Sequence, residues 1–466
     1  TNSIKDTGYD VANSLRFNIG STDYLNRTSG TSSNTNVWSL SMWIKRSDVS
    51  SSGSQKVFSA GSGSTDRTEI YFGTDDKLNI FRNISGSEIN IVTSMVFRDP
   101  SSWYHTLWVW NGTAITLYVN GASVTLSATN LGTNKINGSS TVHRIGIQHD
   151  NSSQNFGGYL AEVTFLDGTA VSDATSFGEF DSDSPNIWKP KNVSGLTFGN
   201  NGFYLDFEDS SALGNDAAGS NNFTVNNLTA VDQSTDTCTN NFATLNPLAT
   251  SSFNDLSEGS LKITGNTATN DGETFSTFVM PNATAKWYWE LKCTNKYSGG
   301  NPKFGFIQAK RGFRLQNGGA GYGGAASGTL DIMVRPDGKT LENGSTSGSA
   351  VIGTWDTGDI LSFALDSVNG AFYVGINGTW QTSGNPESGA SKTGAVKTWT
   401  PTDSKCDDGQ AVCIGSYNGS VTEANFGSPS FAISSGNTDA DGHGNMEFSV
   451  PSGYFVLNSK NLAEYG

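Results

Sequence analysis

Four cysteines, Cys238, Cys293, Cys406 and Cys413, are all that the 466 residues carry. No C-x-x-C pair occurs, and the spacings match no zinc module. Cys406 and Cys413 are near enough in sequence to pair across a loop or to stand as two separate thiols. A chain of this length builds its core without disulfides. Charge is scarce as well: 15% of residues are charged, against about a quarter in ordinary globular domains. Lys and Arg number 28 and Asp and Glu 43, for a net charge of −15. No basic stripe forms, so the electrostatic footprint of a nucleic-acid binder is missing. Acidity of this degree keeps an exposed protein soluble. The four histidines, His105, His143, His149 and His443, are dispersed. H-E-x-x-H, P-loop and nucleophile-elbow patterns are lacking. No apolar run approaches the length of a membrane-crossing helix. The opening residues show no signal-peptide pattern, and Thr1 in place of Met leaves the native start open. Sequons such as those at Asn111, Asn137, Asn282 and Asn377 are what chance gives in so Asn-, Gly- and Ser-rich a chain.

What the chain has is alternation. Leu361, Phe363 and Leu365 alternate with Ile360, Ser362 and Ala364; Phe372, Val374 and Ile376 alternate with Ala371, Tyr373 and Gly375. A period of two predicts strands with one buried face. Asn369-Gly370 lies between the runs and Asn377-Gly378 after them, as turns. The same design precedes it at Trp103 to Val124, with Asn111-Gly112 and Asn120-Gly121. Two copies of a strand–turn–strand–turn unit, with 55 glycines and almost no helical periodicity, predict an all-β protein of two antiparallel sandwiches in tandem. We place the first at 1–186, a bridging segment packed on it at 187–250, and the second at 251–466. A short helical turn is expected near Val171 to Phe177, and a hairpin across Gly73 to Asp76. Trp38 and Trp43 fall on opposite faces of one strand, so one of them is exposed or packs on the bridge.

Hydrolytic chemistry finds little support. A retaining glycosidase needs two carboxylates about 5 Å apart, which on one strand means acids two residues apart. No E-x-D-x-E run exists; Asp206-Phe207-Glu208-Asp209 comes nearest, and Glu162, in an apolar strand, reads as a structural hydrogen-bonding group. The chain is therefore expected not to be an enzyme, and no catalytic residue is assigned. The Gly-rich stretch Gly318 to Gly324 lacks the Lys-Ser/Thr of a phosphate cradle and reads as a loop displaying Tyr322. No cofactor or resident metal is assigned. Calcium is the one ion the turn acids Asp75, Asp76, Asp150 and Asp167 suggest, while Asp403, Asp407 and Asp408 read as a solvated loop. Aromatic residues on loops of the second sandwich are the expected ligand contacts: Tyr297, Phe313, Tyr322, Trp355, Trp380 and Trp399, since an exposed ring stacks on a sugar or anchors a protein.

Several stretches carry resemblances. Phe17 to Leu25, Trp43-Ile44-Lys45, Trp103-Tyr104-His105, Leu117 to Gly121 and Tyr159 to Val163 resemble the laminin-G-like, concanavalin A-type domain of pentraxins and lectins. Phe203 to Leu228 is similar to the opening segment of such domains, displaced to follow the rest. Trp287 to Leu291, Phe304-Gly305-Phe306, Gly358 to Leu361, Leu365-Asp366, Tyr373 to Gly378 and Asn425-Phe426-Gly427 resemble a SPRY domain, a family that binds partners through loops at one end. The pairing, with Ala243 to Pro247 at the junction and Lys460 to Glu464 at the end, is similar to tail-fibre or appendage proteins of marine tailed bacteriophages. The resemblance implies two concanavalin A-like, jelly-roll sandwiches. It also implies a virion surface protein, on tail or capsid and outside the cell, that recognises a host-surface glycan or protein. A purely structural part linking other virion proteins is the alternative, and a polysaccharide-degrading enzyme a further one. It implies no membrane insertion and a homo-oligomer, with a trimer as the expectation.

Overall fold

Runs of alternating residues become extended segments, and these assemble into two facing sheets in each of two units, Thr1–Asn241 and Phe242–Gly466. The computed structural model describes residues 8–49, 51–149, 154–266, 272–297, 302–309, 330–342, 345–403 and 406–466. Residues assigned to a bridge divide between the units. Phe203–Leu205, Thr224–Asn226 and Gln233–Ser234 are strands of the first unit, and Leu245–Thr250 is an edge strand of the second.

In the first unit, one sheet runs Ala122–Val124, Ile115–Val119, Trp103–Trp110, Trp38–Arg46, Gly158–Asp167, Ser14–Phe17, Gln233–Ser234, with Phe203–Leu205 also on Gly158–Asp167. The other runs Thr224–Asn226, Tyr24–Thr28, Val142–Ile145, Gln55–Gly63, Asp66–Phe72, Lys77–Ile84, Ser87–Val96. Between them lie Leu15, Trp38, Leu40, Met42, Trp108, Phe58, Ile70 and Ile80. Full burial of each such side chain contributes roughly 1.5–3 kcal/mol. His143 is in this core too, between Phe58 and Phe165, and burial lowers its pKa to about 3.

In the second unit, Leu245–Thr250, Gly272–Met280, Gln410–Ser416, Lys303–Gln308, Ile332–Val334, Thr340–Glu342 and Ser345–Thr346 make one sheet. Asn254–Ser257, Lys262–Gly265, Val421–Asn425, Lys286–Asn295, Ile360–Asp366, Ala371–Ile376 and Thr379–Trp380 make the other, with Lys397–Thr398 and the parallel strand Phe455–Val456 attached. Trp287, Trp289, Phe304, Phe306, Phe363 and Phe372 fill the space between. Cys406 packs in that core and Cys413 in the cluster on the sheet's other face; no disulfide joins them. A short helix, Ser459–Tyr465, capped by the Asn458 side chain, follows.

The repeated turn is built identically. Asn120 and Asn377 each have φ +47°, and Gly121 and Gly378 follow at +80° and +78°, the type I′ pattern. Each Asn side-chain oxygen accepts a backbone N–H from the neighbouring strand, His105 at 2.8 Å and Ile360 at 3.0 Å. The earlier Asn-Gly pairs work differently: only Gly112 and Gly370 take positive φ, at +89° and +76°.

Strict alternation predicts one wet face per sheet, and in each unit one sheet departs from it. Every residue of Trp38–Arg46 and of Gly158–Asp167 is buried. Trp38 faces the inner core, while Trp43 packs on the outer side with Trp188 and Val193, so neither is exposed. A roof from 168–200 and 230–241 covers that outer face. It contains the 3₁₀ turn Ala174–Ser176, and it seals in the Lys45–Asp236 pair at 2.6 Å, whose side chains are each 1% exposed. Residues 431–458 roof the corresponding face of the second unit, burying Tyr288, Tyr373, Met446, Tyr454 and Val456.

Candidate functional site

Among the described residues, the loop aromatics of the second unit do not converge. Trp355 is 2% exposed and stacks on Phe304, ring centroids 4.7 Å apart. Its loop turns inward through Trp355 N–H to Pro336 O, so the ring plugs the core and is no ligand contact. Trp399 is half-buried against Phe306, and Trp380 against the roofed cluster. Tyr297 is 41% exposed, at the Asn295 end of its strand, opposite the end where Trp399 sits beside Ala371. Phe313 and Tyr322 lie outside the described residues.

The turn acids spend their oxygens on the protein. Asp76 accepts from Arg46 at 3.0 Å and Arg98 at 2.7 Å, and Asp75 pairs with Lys77. Asp167 accepts from Ser33 N, Asn34 N, Asn201 N and Asn137 Nδ2. Burial alone would raise its pKa, but these donors hold it below the ordinary value. Four donors on two oxygens leave Asp167 tying three loops together, not ligating calcium. Asp150 lies outside the described residues, and among those described no group of three His, Cys, Asp or Glu side chains could hold a metal. Asp206 and Asp209 cap their own turns, accepting from Glu208 N and Ser211 N. Glu162 accepts from the Tyr204 and Tyr9 hydroxyls, and burial pushes its pKa up to about 7. This is the hydrogen-bonding role expected of it, with a titration that the sequence did not announce.

The surface best fitted to recognition is one the sequence reading passed over: the outer face of the first unit's unroofed sheet. Pairing register aligns its outward residues in rows. One row runs Asn26, Arg144, Ser59, Glu69, Phe81, Asn90. Beside it run Lys56, Tyr71, Asn79, Val92. On its other flank Arg67 is next to Asn83 and Glu88. Loop 146–149 covers the Arg144–Ser59 side, taking hydrogen bonds from Arg144 to His149 O and from Ser59 to Ile147 O. Beyond it Tyr71, Phe81, Arg67 and Val92 are part-exposed and Asn90 and Glu88 exposed, while Lys56, Asn79 and Asn83 are buried among them. Lys56 Nζ sits 3.5 Å from the Tyr71 ring centroid and 3.2 Å from Glu69, and Arg67 lies 3.1 Å from Glu69 and 5.7 Å from the Phe81 ring centroid. Glu69 itself is 1% exposed, screened by its two cations. Asn90 accepts from Tyr71 OH and donates to Asn79. Two half-buried rings, the Arg67 guanidinium and the exposed Asn90 amide thus lie on paired strands, held from behind by the buried Lys56, Glu69 and Asn79. The signal was in the sequence: Lys56, Glu69, Tyr71 and Phe81 are the polar and aromatic members of alternating runs, but only the register shows them adjacent.

The first unit is a concanavalin A-like β-sandwich. Residues 19–175 match the family model of the concanavalin A-like lectin/glucanases superfamily, of the laminin-G type. No curated protein matches the chain. Among solved structures, the chain is similar to a heptameric SAP-like pentraxin from Limulus polyphemus (18% identity, 35% of this chain, 80% of that one, TM-score 0.28). It is also similar to the SPRY domain of human HERC1 (13%, 39% and 96%, TM-score 0.28). A third is a putative carbohydrate binding protein from Bacteroides ovatus (15%, 47% and 60%, TM-score 0.34).

Proposed function

We propose that the chain is a non-catalytic recognition protein whose first unit binds glycan on the open sheet face around Tyr71 and Phe81. We place it on the surface of a virion, outside the cell, as a tail-fibre or capsid-appendage subunit that assembles as a homo-oligomer, a trimer, with other virion proteins. The observation that carries glycan binding is the row geometry, the part-exposed Tyr71 and Phe81 rings beside Arg67 and the exposed Asn90 amide on one sheet face. Aromatic rings stack on sugar faces, and fixed amides and charges bond the hydroxyls. The concanavalin A-like family match over 19–175 supports the same reading. The virion setting is supported by the sequence resemblance to bacteriophage appendage proteins.

Glycan-array binding of the purified chain tests recognition. Tyr71→Ala and Phe81→Ala are each expected to lower affinity about tenfold, the ~1.4 kcal/mol of one stacked ring. Wild-type affinity in both variants, or binding to virion proteins only, would overturn it in favour of a structural linker. Incubation with bound polysaccharide is expected to leave its length unchanged.

A further inference from the structure

One end of the second sandwich holds polar groups that the core chemistry does not explain. Gln410 opens its strand with the same parity as Val412 and Ile414, so its side chain faces between the sheets, and it is 0% exposed. Neither its Nε2 nor its Oε1 makes a hydrogen bond within the protein. Opposite it in register is Gln308, whose own amide donates to Asp408 at 3.0 Å and so does not satisfy it. On the other side is Met280, which bonds to nothing polar through its side chain. At the same end, Trp399 packs on Phe306, one inward position from Gln308, with its indole Nε1 also unbonded. Asn282, two residues beyond Met280, donates to Pro401 O while its Oδ1 has no donor. A fully buried amide without partners is rare in native proteins and calls for an occupant that bonds it.

We propose that this end of the second sandwich is a binding site for a neutral sugar ring, with Gln410 and Trp399 as its contacts. The unbonded inventory selects the class. Gln410 offers donors and an acceptor, Trp399 a donor and Asn282 an acceptor, the alternating set a polyol's hydroxyls satisfy. The half-buried Trp399 ring, backed by Phe306, supplies an apolar face for the C–H side of a pyranose. Two carboxylates at this end are already engaged by Gln308, Asp408 by its side-chain amide and Asp331 by its backbone N–H, which disfavours a cationic ligand.

The site lies in a different unit from the Tyr71 face, so the two proposals fail separately. The test is a titration of the full chain with glucose, galactose, mannose and N-acetylglucosamine, read on the indole N–H resonance that Trp399→Phe removes. A saturable shift of that resonance by at least one sugar is expected. Gln410→Leu should weaken that sugar's binding at least tenfold, and Tyr71→Ala should leave it unchanged. Two outcomes would overturn the proposal. In one, no sugar moves the Trp399 resonance and Gln410→Leu raises Tm, which makes the amide an orphan or water-bound group. In the other, the sugar still binds Gln410→Leu with wild-type affinity. Should Gln410→Leu not fold, Trp399→Phe carries the test by isothermal titration calorimetry with the same sugar: it keeps an aromatic ring, removes the donor and is expected to cut affinity several-fold, and wild-type affinity would overturn the proposal.

Discussion

The two units share a plan and differ in one carboxylate. Each has a sheet whose outer face is roofed by its own chain, and each places a glutamate on the roofed side of a central strand. Glu290, on Lys286–Asn295, accepts from Tyr288 OH, Asn425 Nδ2, Glu447 N and Phe448 N, at 2.8–3.2 Å. Glu162, on Gly158–Asp167, accepts among the described residues from the hydroxyls of Tyr204 and Tyr9 alone. Those phenols also meet each other at 3.0 Å. Glu162 stands at φ +52°, where pairing with Trp38–Arg46 slips between Ala161 and Thr164. Backbone donors make Glu290 a pin that fixes the roof; phenolic donors, which can bond one another instead, make Glu162 a replaceable and titratable group.

The largest expected effect follows directly. Glu290→Ala leaves two backbone N–H groups, a phenol and an amide without their acceptor in a buried site. It is expected to cost about 4 kcal/mol, and to expose residues 445–448 to hydrogen exchange. Glu162→Ala is expected to cost about 1–2 kcal/mol, because Tyr9 and Tyr204 keep their mutual bond. Denaturant unfolding of both variants measures the difference. Equal costs would break the comparison.

The next effect is pH dependence. Burial raises the Glu162 pKa from 4.5 to about 7. Between those values the folded unit holds a proton that the unfolded chain has released, so stability falls as pH rises through that window and levels off above it. The shift corresponds to about 3 kcal/mol in total. Glu290 is raised by burial as well, so the second unit drifts in the same direction. Hydrogen exchange on Gly158–Asp167 isolates the first unit, and Glu162→Gln is expected to flatten its profile and to be the more stable form above pH 7. A wild-type profile in Glu162→Gln would remove the titration from Glu162.

Local chemistry made much of this fold legible. Alternation and Asn-Gly turns mark the paired hairpins, because a period of two and positive φ are properties of a few neighbouring residues. The roofs are not legible in that way. Ser39, Ser41 and Lys45 look like a solvent-facing row, and only long-range partners bury them: Lys45 meets Asp236 and Asn241, 191 and 196 residues on. Trp355 misleads for the same reason, since a polar, Gly-flanked loop gives no sign that its one ring folds into the core. The Tyr71 face depended on register across six strands, and register between distant strands is set by core packing that one strand's pattern does not contain.

The smallest expected effect tests whether the units are equivalent where they look most alike. At Asn120 and Asn377, glycine would keep the left-handed backbone at no steric cost and delete one side-chain acceptor. The backbone bonds of the turn, Asn120 N to His105 O and Asn377 N to Ile360 O, would survive. Asn120→Gly and Asn377→Gly should each cost about 1 kcal/mol, the net worth of one hydrogen bond plus the extra freedom of the unfolded glycine. The two sites differ in one respect: the Asn377 amide also donates to Asp359 at 2.7 Å, on an exposed edge where water replaces it readily. Near-equal losses in denaturant midpoint for the two variants, each in its own unit's transition, would show that turn chemistry acts locally and independently of the roof above it. A loss at Asn377 several times that at Asn120 would mean the charged partner dominates, and the shared geometry would then be a likeness of shape without a likeness of energy.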